Sequence, residues 1–315
     1  MASHVRVRAY ASSANLGPGF DAVAVAHTSF YDEVEARLEP GSGSVVIETV
    51  YGPYAVGAGN AETAKRAVEE LLRLTGYRLG SEDLVLRVYK GVPAGRGLGS
   101  SGASAAAAVK AASMLLGLED EADATLLVEA AGRGEAAAAG SPHYDNAAAS
   151  LLGGFSVVAR DLEGRLYVRS FPLEAWFVVY VPKPRMLLGA KTRLMREVLP
   201  KTVPLDAAAR NWARLAMLVA AVLSGDLRLF GEMMMQDEIV EPARRRYIPC
   251  YLEAREAALG AGALGVAISG AGPSLVALAA DEKTANKVAA ALAECPCCEP
   301  DIVKAARPAP PASRV

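Results

Sequence analysis

Residues 92–102, VPAGRGLGSSG, place four glycines, a proline and two serines between two strongly patterned stretches. DLVLRVYKG, before them, alternates with the period of a strand, and SAAAAVKAASMLLG, after them, has the composition of a helix. A glycine crossing from strand to helix lets the backbone fold closely around an anion. The first turn of the helix adds unpaired N–H groups and the positive end of the dipole. Ser100 and Ser101 bring hydroxyls to the same place. Taken alone, the segment reads equally well as a plain turn capped by serine.

Residues 97–102, GLGSSG, also satisfy the dinucleotide pattern G-x-G-x-x-G. That pattern needs a second strand bearing an acid about 20 residues on, whereas GLEDEADATLLVEAAGRGEAA is helical. A P-loop is excluded because no G-K-[ST] follows, and a protein kinase because neither H-R-D nor D-F-G occurs.

Two further segments carry the same small-residue signature. ASSANLGPGFD (11–21) follows the alternating HVRVRAYA, and SGAGPS (269–274) lies between GVAI and LVALAA. Glycine destabilises regular structure, so three such loops point to three backbones approaching one ligand. Strands are also expected over 22–38, 44–50 and in FSVVAR, LYVRSF and WFVVYV. Helices are expected over 61–75, 121–139, 204–224, 226–236, 249–261 and 283–294, with a last strand near Ile302. Strands and helices mix without strict βαβ alternation, which indicates an α+β fold in two lobes. A composition break near Gly153 sets the expected domains at 1–153 and 154–306, and the proline-rich RPAPPASRV (307–315) is expected to be a disordered tail.

The three loops in this order resemble the GHMP kinase superfamily, and the likeness runs from about residue 5 to about residue 305. Within it, ASSANLGPGFD, the HYDNAAASLLGG segment (143–154) and EPAR (241–244) are similar to the homoserine kinase branch, whereas the early Lys or Arg and Gly-Glu-His of mevalonate kinases and galactokinases are lacking. GLGSSGAS in place of GLGSSAA, and Ala147 in place of Val, are departures that touch no charged group. The resemblance implies a two-lobed GHMP kinase fold with an N-terminal ATP-binding lobe and a C-terminal ferredoxin-like lobe. It also implies transfer of a phosphoryl group from ATP, with Mg²⁺, to the hydroxyl of L-homoserine in threonine biosynthesis.

By the same resemblance, Pro93, Ala94, Gly95, Arg96, Gly97, Leu98, Gly99, Ser100, Ser101, Gly102 and Ala103 would cradle the triphosphate, and Asn60 would meet the adenine. Glu135 and Ser101 would hold Mg²⁺, since one carboxylate and one hydroxyl suffice for an ion that keeps its waters. A zwitterion needs an anion for its ammonium, which Asp21 suits, and guanidinium groups for its carboxylate, which Arg196 and Arg244 suit. Asn15, His143 and Thr192 would complete the pocket, and Asn146, Asp145 and His143 stand nearest the chemistry. Each has a bland reading as well: Asn60 an N-cap, Glu135 a solvated helix residue, Arg244 one of three arginines on a wet helix face.

Other classes carry less weight. With 33 Lys+Arg against 35 Asp+Glu, no basic surface for nucleic acid is expected. No apolar run reaches about 20 residues and MASHVRVRAY lacks a signal core, so no membrane partner and a cytoplasmic location are expected. Cys250, Cys295, Cys297 and Cys298 lack the paired spacing of a zinc site and read as reduced thiols. A homodimer is carried as an expectation. The alternatives are a related GHMP kinase acting on mevalonate or shikimate, and a non-catalytic GHMP-fold sensor.

Overall fold

Two antiparallel-rich sheets, each backed by helices, meet at the three small-residue loops. The structure is a computed structural model that describes residues 4–55, 59–139, 142–183, 194–295 and 300–315. Thr192 lies outside these residues, as do Cys297 and Cys298.

The first sheet is laid on β2, Gly19–Pro40, which pairs with β1 (His4–Asn15) along most of its length, with β4 (Glu82–Tyr89) along its C-terminal half and with β5 (Phe155–Arg160) near its start. β3 (Val45–Tyr51) joins β4 in parallel, and β6 (Leu166–Phe171) joins β5. In β1, Val5, Val7 and Ala9 face a core that Arg6 and Arg8 avoid, as the alternation predicts. That core is closed by α1 (Gly59–Thr75), α2 (Ser100–Leu116), α3 (Ala124–Ala139) and α4 (Tyr144–Leu152). Helix α2 is buried on nearly every side, which its alanines allow, because a helix without a polar stripe can sit between a sheet and other helices.

The second sheet runs in the order β10–β7–β9–β8, all antiparallel, from β7 (Trp176–Pro182), β8 (Gly265–Ile268), β9 (Leu275–Ala279) and β10 (Pro300–Ala306). Strands in chain order 4-1-3-2 with helices crossing between them make a ferredoxin-like lobe. Helices Leu205–Ser224, Leu227–Met234, Tyr251–Gly260 and Glu282–Ala293 pack around it. Among the described residues, no helix is long and apolar enough to cross a membrane.

Two points add to the sequence reading and one corrects it. The first sheet runs on past Gly153: β5 and β6 still belong to it, and the chain crosses to the second sheet between Phe171 and Trp176. Residues 144–152 form a helix that the small-residue HYDNAAAS pattern did not announce. The tail is ordered: Ser313–Arg314 (β11) pairs with β1, Pro308 bridges His27, and Ala309 and Ala312 are buried. Proline removes N–H donors, but the remaining donors find partners: Ala309 N–H reaches the Ala26 carbonyl at 2.9 Å and Ala312 N–H the Leu151 carbonyl at 2.9 Å.

Candidate active site

The three loops interlock. The Ser12 amide donates to the Leu98 carbonyl at 3.1 Å, Gly270 N–H to the Ala14 carbonyl at 3.0 Å, and the Ser269 hydroxyl to the Gly97 carbonyl at 2.6 Å. Gly97 and Gly99 have φ of 78° and 64°, where an L side chain is strained. A Cβ at Gly97 would fall 2.2 Å from the Ser269 carbonyl oxygen, and one at Gly99 would fall 2.3 Å from the Ser12 hydroxyl. Gly97 therefore lets two loop backbones come together, and Gly99 leaves room for the Ser12 and Asn146 side chains.

Gly99 is the N-cap of α2, and no side chain caps it. The first turn of α2 thus presents backbone donors and dipole toward the space beside Ala94, Gly95, Gly97 and Ser101, all partly accessible. Pro93, Leu98, Gly102 and Ala103 are buried beneath them. Two side chains depart from expectation. The Ser100 hydroxyl turns inward to the Val92 carbonyl at 3.0 Å, because a buried hydroxyl needs a partner, so it closes the loop instead of facing an anion. Arg96 reaches across to the second lobe, to the Pro182 carbonyl at 2.7 Å and Asp301 at 3.0 Å.

Glu135, on α3, is 2% exposed and accepts the Ser101 hydroxyl. Its Oε1 also lies 3.2 Å from His143 Nδ1, while Oε2 is buried with no hydrogen-bond partner among the described residues. An orphaned carboxylate oxygen beside a serine hydroxyl at a helix start suits a hard divalent cation. Among the described residues there is no cluster of three His, Cys, Asp or Glu side chains able to hold a metal by themselves, so such an ion would rely on phosphate and water for its other ligands. Burial opposes a charged imidazole at His143, but Glu135 and Asp145 outweigh it and push the pKa up to about 9. Asp145 is buried, and burial first, then the charge of Asp21, pushes its carboxyl up to about 7. Asn146 accepts the Ser12 hydroxyl at 2.9 Å, against Gly99.

The third part of the site surrounds Phe20. Arg196 lies 5.9 Å and Arg244 5.3 Å from its ring centroid, and Arg196 Nη1 lies 3.3 Å from Asp21 Oδ2. Asn15, Leu16 and Asp21 all have positive φ, strain that the locked loop sustains. Asn15 is a brace: its amide group donates to the Gly270 carbonyl at 2.9 Å and accepts from Asp21 N–H at 3.1 Å. Arg244 is 3% exposed, whereas Arg245 and Arg246 are exposed, so the run of arginines is not a uniform wet face. Its Nε donates to the Met195 carbonyl at 3.0 Å and Nη1 to the Gly270 carbonyl at 3.1 Å. The full bidentate fork foreseen for a substrate carboxylate is therefore half engaged by backbone. Burial pulls the Arg244 pKa down to about 10, against the opposing pull of Asp21.

The structure brings together every described residue named from the sequence as substrate-binding or catalytic, around the ends of β1, α2 and α4. Asn60 lies in the first turn of α1, and its side chain is outside the described set. Sequence reasoning missed Phe20, which stands next to Asp21 in the same motif, and the buried pair Lys90–Asp32 under the loop. The pair gave no signal, since its members are 58 residues apart, one on β2 and the other just past the end of β4.

Comparison with known proteins gives a consistent pattern. The model of the GHMP kinases N-terminal domain matches residues 62–154, and that of the GHMP kinases C-terminal domain matches residues 218–296. The chain is 53% identical over 99% of both chains to a homoserine kinase of Aeropyrum pernix. It is 45% identical to a homoserine kinase of Pyrobaculum neutrophilum, over 87% of this chain and 88% of the other. Among solved structures, a homoserine kinase from Cytophaga hutchinsonii superposes with a TM-score of 0.86 at 32% identity, covering 100% of this chain and 98% of the other.

Proposed function

From the premise that the chain belongs to the GHMP kinases, and within them to the homoserine kinase family, we propose that it transfers the γ-phosphoryl group of ATP to the hydroxyl of L-homoserine, giving O-phospho-L-homoserine for threonine biosynthesis. The observation that carries this reading is the charge arrangement around Phe20. One carboxylate, Asp21, and two guanidinium groups, Arg196 and Arg244, stand beside an uncapped helix start. A small zwitterion needs that pattern, and a triphosphate needs the helix start.

In this assignment the backbone of residues 93–103 holds the triphosphate, and Asn60 meets the adenine. Asp21 takes the ammonium, and Arg196 with the remaining nitrogen of Arg244 takes the carboxylate. Thr192 is carried as a further pocket residue. Phe20 and Arg244 fix the depth of the amino-acid end, which directs the substrate hydroxyl back toward Asn146 and the γ-phosphate. Glu135 and the Ser101 hydroxyl would hold Mg²⁺, which when bound supplies charge neutralisation at the phosphates. In the metal-free protein Glu135 and Asp145 hold His143 protonated at neutral pH, which suits it to donating a hydrogen bond. Asp145 titrates near neutrality, so it can hold the hydroxyl proton, and a loose transition state asks little more of it. ATP and a free amino acid are cytoplasmic metabolites, which supports a cytoplasmic site of action.

A homodimer is supported by the helix Leu205–Ser224, where Leu205, Trp212 and Leu223 stand exposed on one face, Trp212 at 61%. Turned about a twofold axis at residue 214, that face sets Leu205 against Leu223 and Trp212 against Ala216, large against small. Sedimentation of the wild type and of Trp212→Arg tests it; equal mass for both removes this interface.

The test of the function is ADP release measured with L-homoserine, mevalonate, shikimate and galactose in turn. Turnover with homoserine well above the other three is expected. Equal or faster turnover with mevalonate, which has no ammonium, overturns the assignment.

A further inference from the structure

The ammonium of Lys90 and the carboxylate of Asp32 form an ion pair with neither side chain exposed to solvent. Burying two charges is costly, and a well-packed apolar pair in the same place is often as stable or more so, so core stability is a weak reason for them. Their partners are more informative. Asp32 Oδ1 accepts the amides of Gly91 and Val92, both at 2.9 Å, which are the first residues of the glycine loop. Lys90 Nζ donates to the Ser100 carbonyl at 3.0 Å, at the start of α2 where the loop ends, and to the Ser104 hydroxyl at 2.6 Å, one turn further on. Ser104 in turn donates to Asp32 Oδ2 at 2.6 Å. One carboxylate and one ammonium thus tie the entrance of the loop to its exit, with every ammonium donor used.

We propose that Lys90, Asp32 and Ser104 are positioning residues that hold the loop of residues 93–99 in the shape that receives the nucleotide phosphates. The loop's own conformation is improbable for a free chain, with Gly95, Gly97 and Gly99 all at positive φ. Fixing its two ends lowers the ordering cost that nucleotide binding would otherwise meet. None of the three residues touches the phosphates, because Lys90 and Ser104 are wholly buried below the helix start. The network is distinct from the proposed metal and amino-acid groups, Glu135, Asp21 and Arg244, so it bears on one substrate and not the other.

This inference rests on the reading of the loop as a nucleotide site, and the experiment separates the two. Lys90→Met combined with Asp32→Asn removes both charges together, leaving no lone buried ion. By titration calorimetry, the ADP dissociation constant is expected to rise by about tenfold or more in the folded double variant, while the affinity for homoserine stays within about twofold. Ser104→Ala, which leaves the ion pair intact, is expected to weaken ADP by about threefold to fivefold. A folded double variant that binds ADP within about twofold of the wild type overturns the proposal. If the double variant does not fold, Ser104→Ala decides, and unchanged ADP affinity there overturns it. Wild-type protein that binds no ADP removes the nucleotide reading itself, and the proposal with it.

Discussion

Nδ1 of His143 lies 3.2 Å from Oε1 of Glu135, and that contact, with Asp145 nearby, keeps a largely buried imidazole charged to about pH 9. The folded pKa stands above the unfolded value near 6.5, so the pairing stabilises the native state fully below pH 6.5 and is lost as pH rises through about 9. His143→Gln in Mg²⁺-free protein should therefore lower stability by about 1.5–3 kcal/mol at pH 6. The deficit should fade by pH 9.5. Thermal melts at the two pH values check this, and a deficit that grows toward alkaline pH would contradict the charged pairing.

Glu135 Oε2 has no hydrogen-bond partner among the described residues, and its other oxygen accepts the Ser101 hydroxyl. Glu135→Gln keeps the shape but removes the charge. A loss of kcat on the order of 10²–10³-fold is expected, as for loss of one preorganised group acting on the transition state. The KM for homoserine should move little. Initial rates across a Mg²⁺ titration measure this, and a rate near wild type at low Mg²⁺ would return Glu135 to a structural role.

Arg244 is buried while Arg245 and Arg246 are not, and two of its nitrogens already serve the Met195 and Gly270 carbonyls. The remaining contact to a substrate carboxylate is a single charge-assisted hydrogen bond worth about 1.5–3 kcal/mol. Arg244→Ala should raise the KM for homoserine roughly 10- to 150-fold with the KM for ATP nearly unchanged. Lysine at 244 cannot bridge both carbonyls and should rescue poorly. Alanine at 245 or 246 should leave both constants near wild type; three equal effects would show that the carboxylate is bound elsewhere.

Asp21 stands in the left-handed region, at φ 53°, a conformation that asparagine tolerates. Asp21→Asn thus removes the charge without new strain. The wild type should prefer homoserine to 4-hydroxybutyrate, which lacks the ammonium. In the variant that preference should shrink by about tenfold or more. A preference that survives intact places the ammonium away from Asp21.

Residues 307–315 are bound by backbone hydrogen bonds to β1, β2 and the end of α4, among them Thr28 N–H to the Arg307 carbonyl at 2.9 Å and Val315 N–H to the Arg6 carbonyl at 3.0 Å. Deleting them exposes Ala26 and the β1 edge. At about 1 kcal/mol per bond, the melting temperature should fall on the order of 10 °C. A truncated protein that melts like the full chain would make the tail dispensable.

Much of the molecule was legible because its signals are local. The alternation of HVRVRAYA and the alanines of α2 fix strand and helix through contacts a few residues apart. Gly97 and Gly99 pointed to a crowded loop only beside the other two small-residue segments, since glycine at a helix start alone also suits a plain turn. The tail misled for the same local reason: its prolines forbid helix, but they do not forbid lying along a sheet edge whose partners are about 300 residues away.

What the sequence determined by itself was the set of reactive groups and the loops that carry them: ASSANLGPGFD, GLGSSG, HYDN, EPAR and SGAGPS. What only the tertiary structure decided was their orientation and pairing. It turned the Ser100 hydroxyl inward, engaged half of the Arg244 fork with backbone, buried Glu135 beside Ser101 and His143 and set Lys90 against Asp32. The physical reason is burial. A side chain's partners, its charge state and its remaining capacity to bind depend on what excludes water from it, and those neighbours come from strands and helices far apart in the chain.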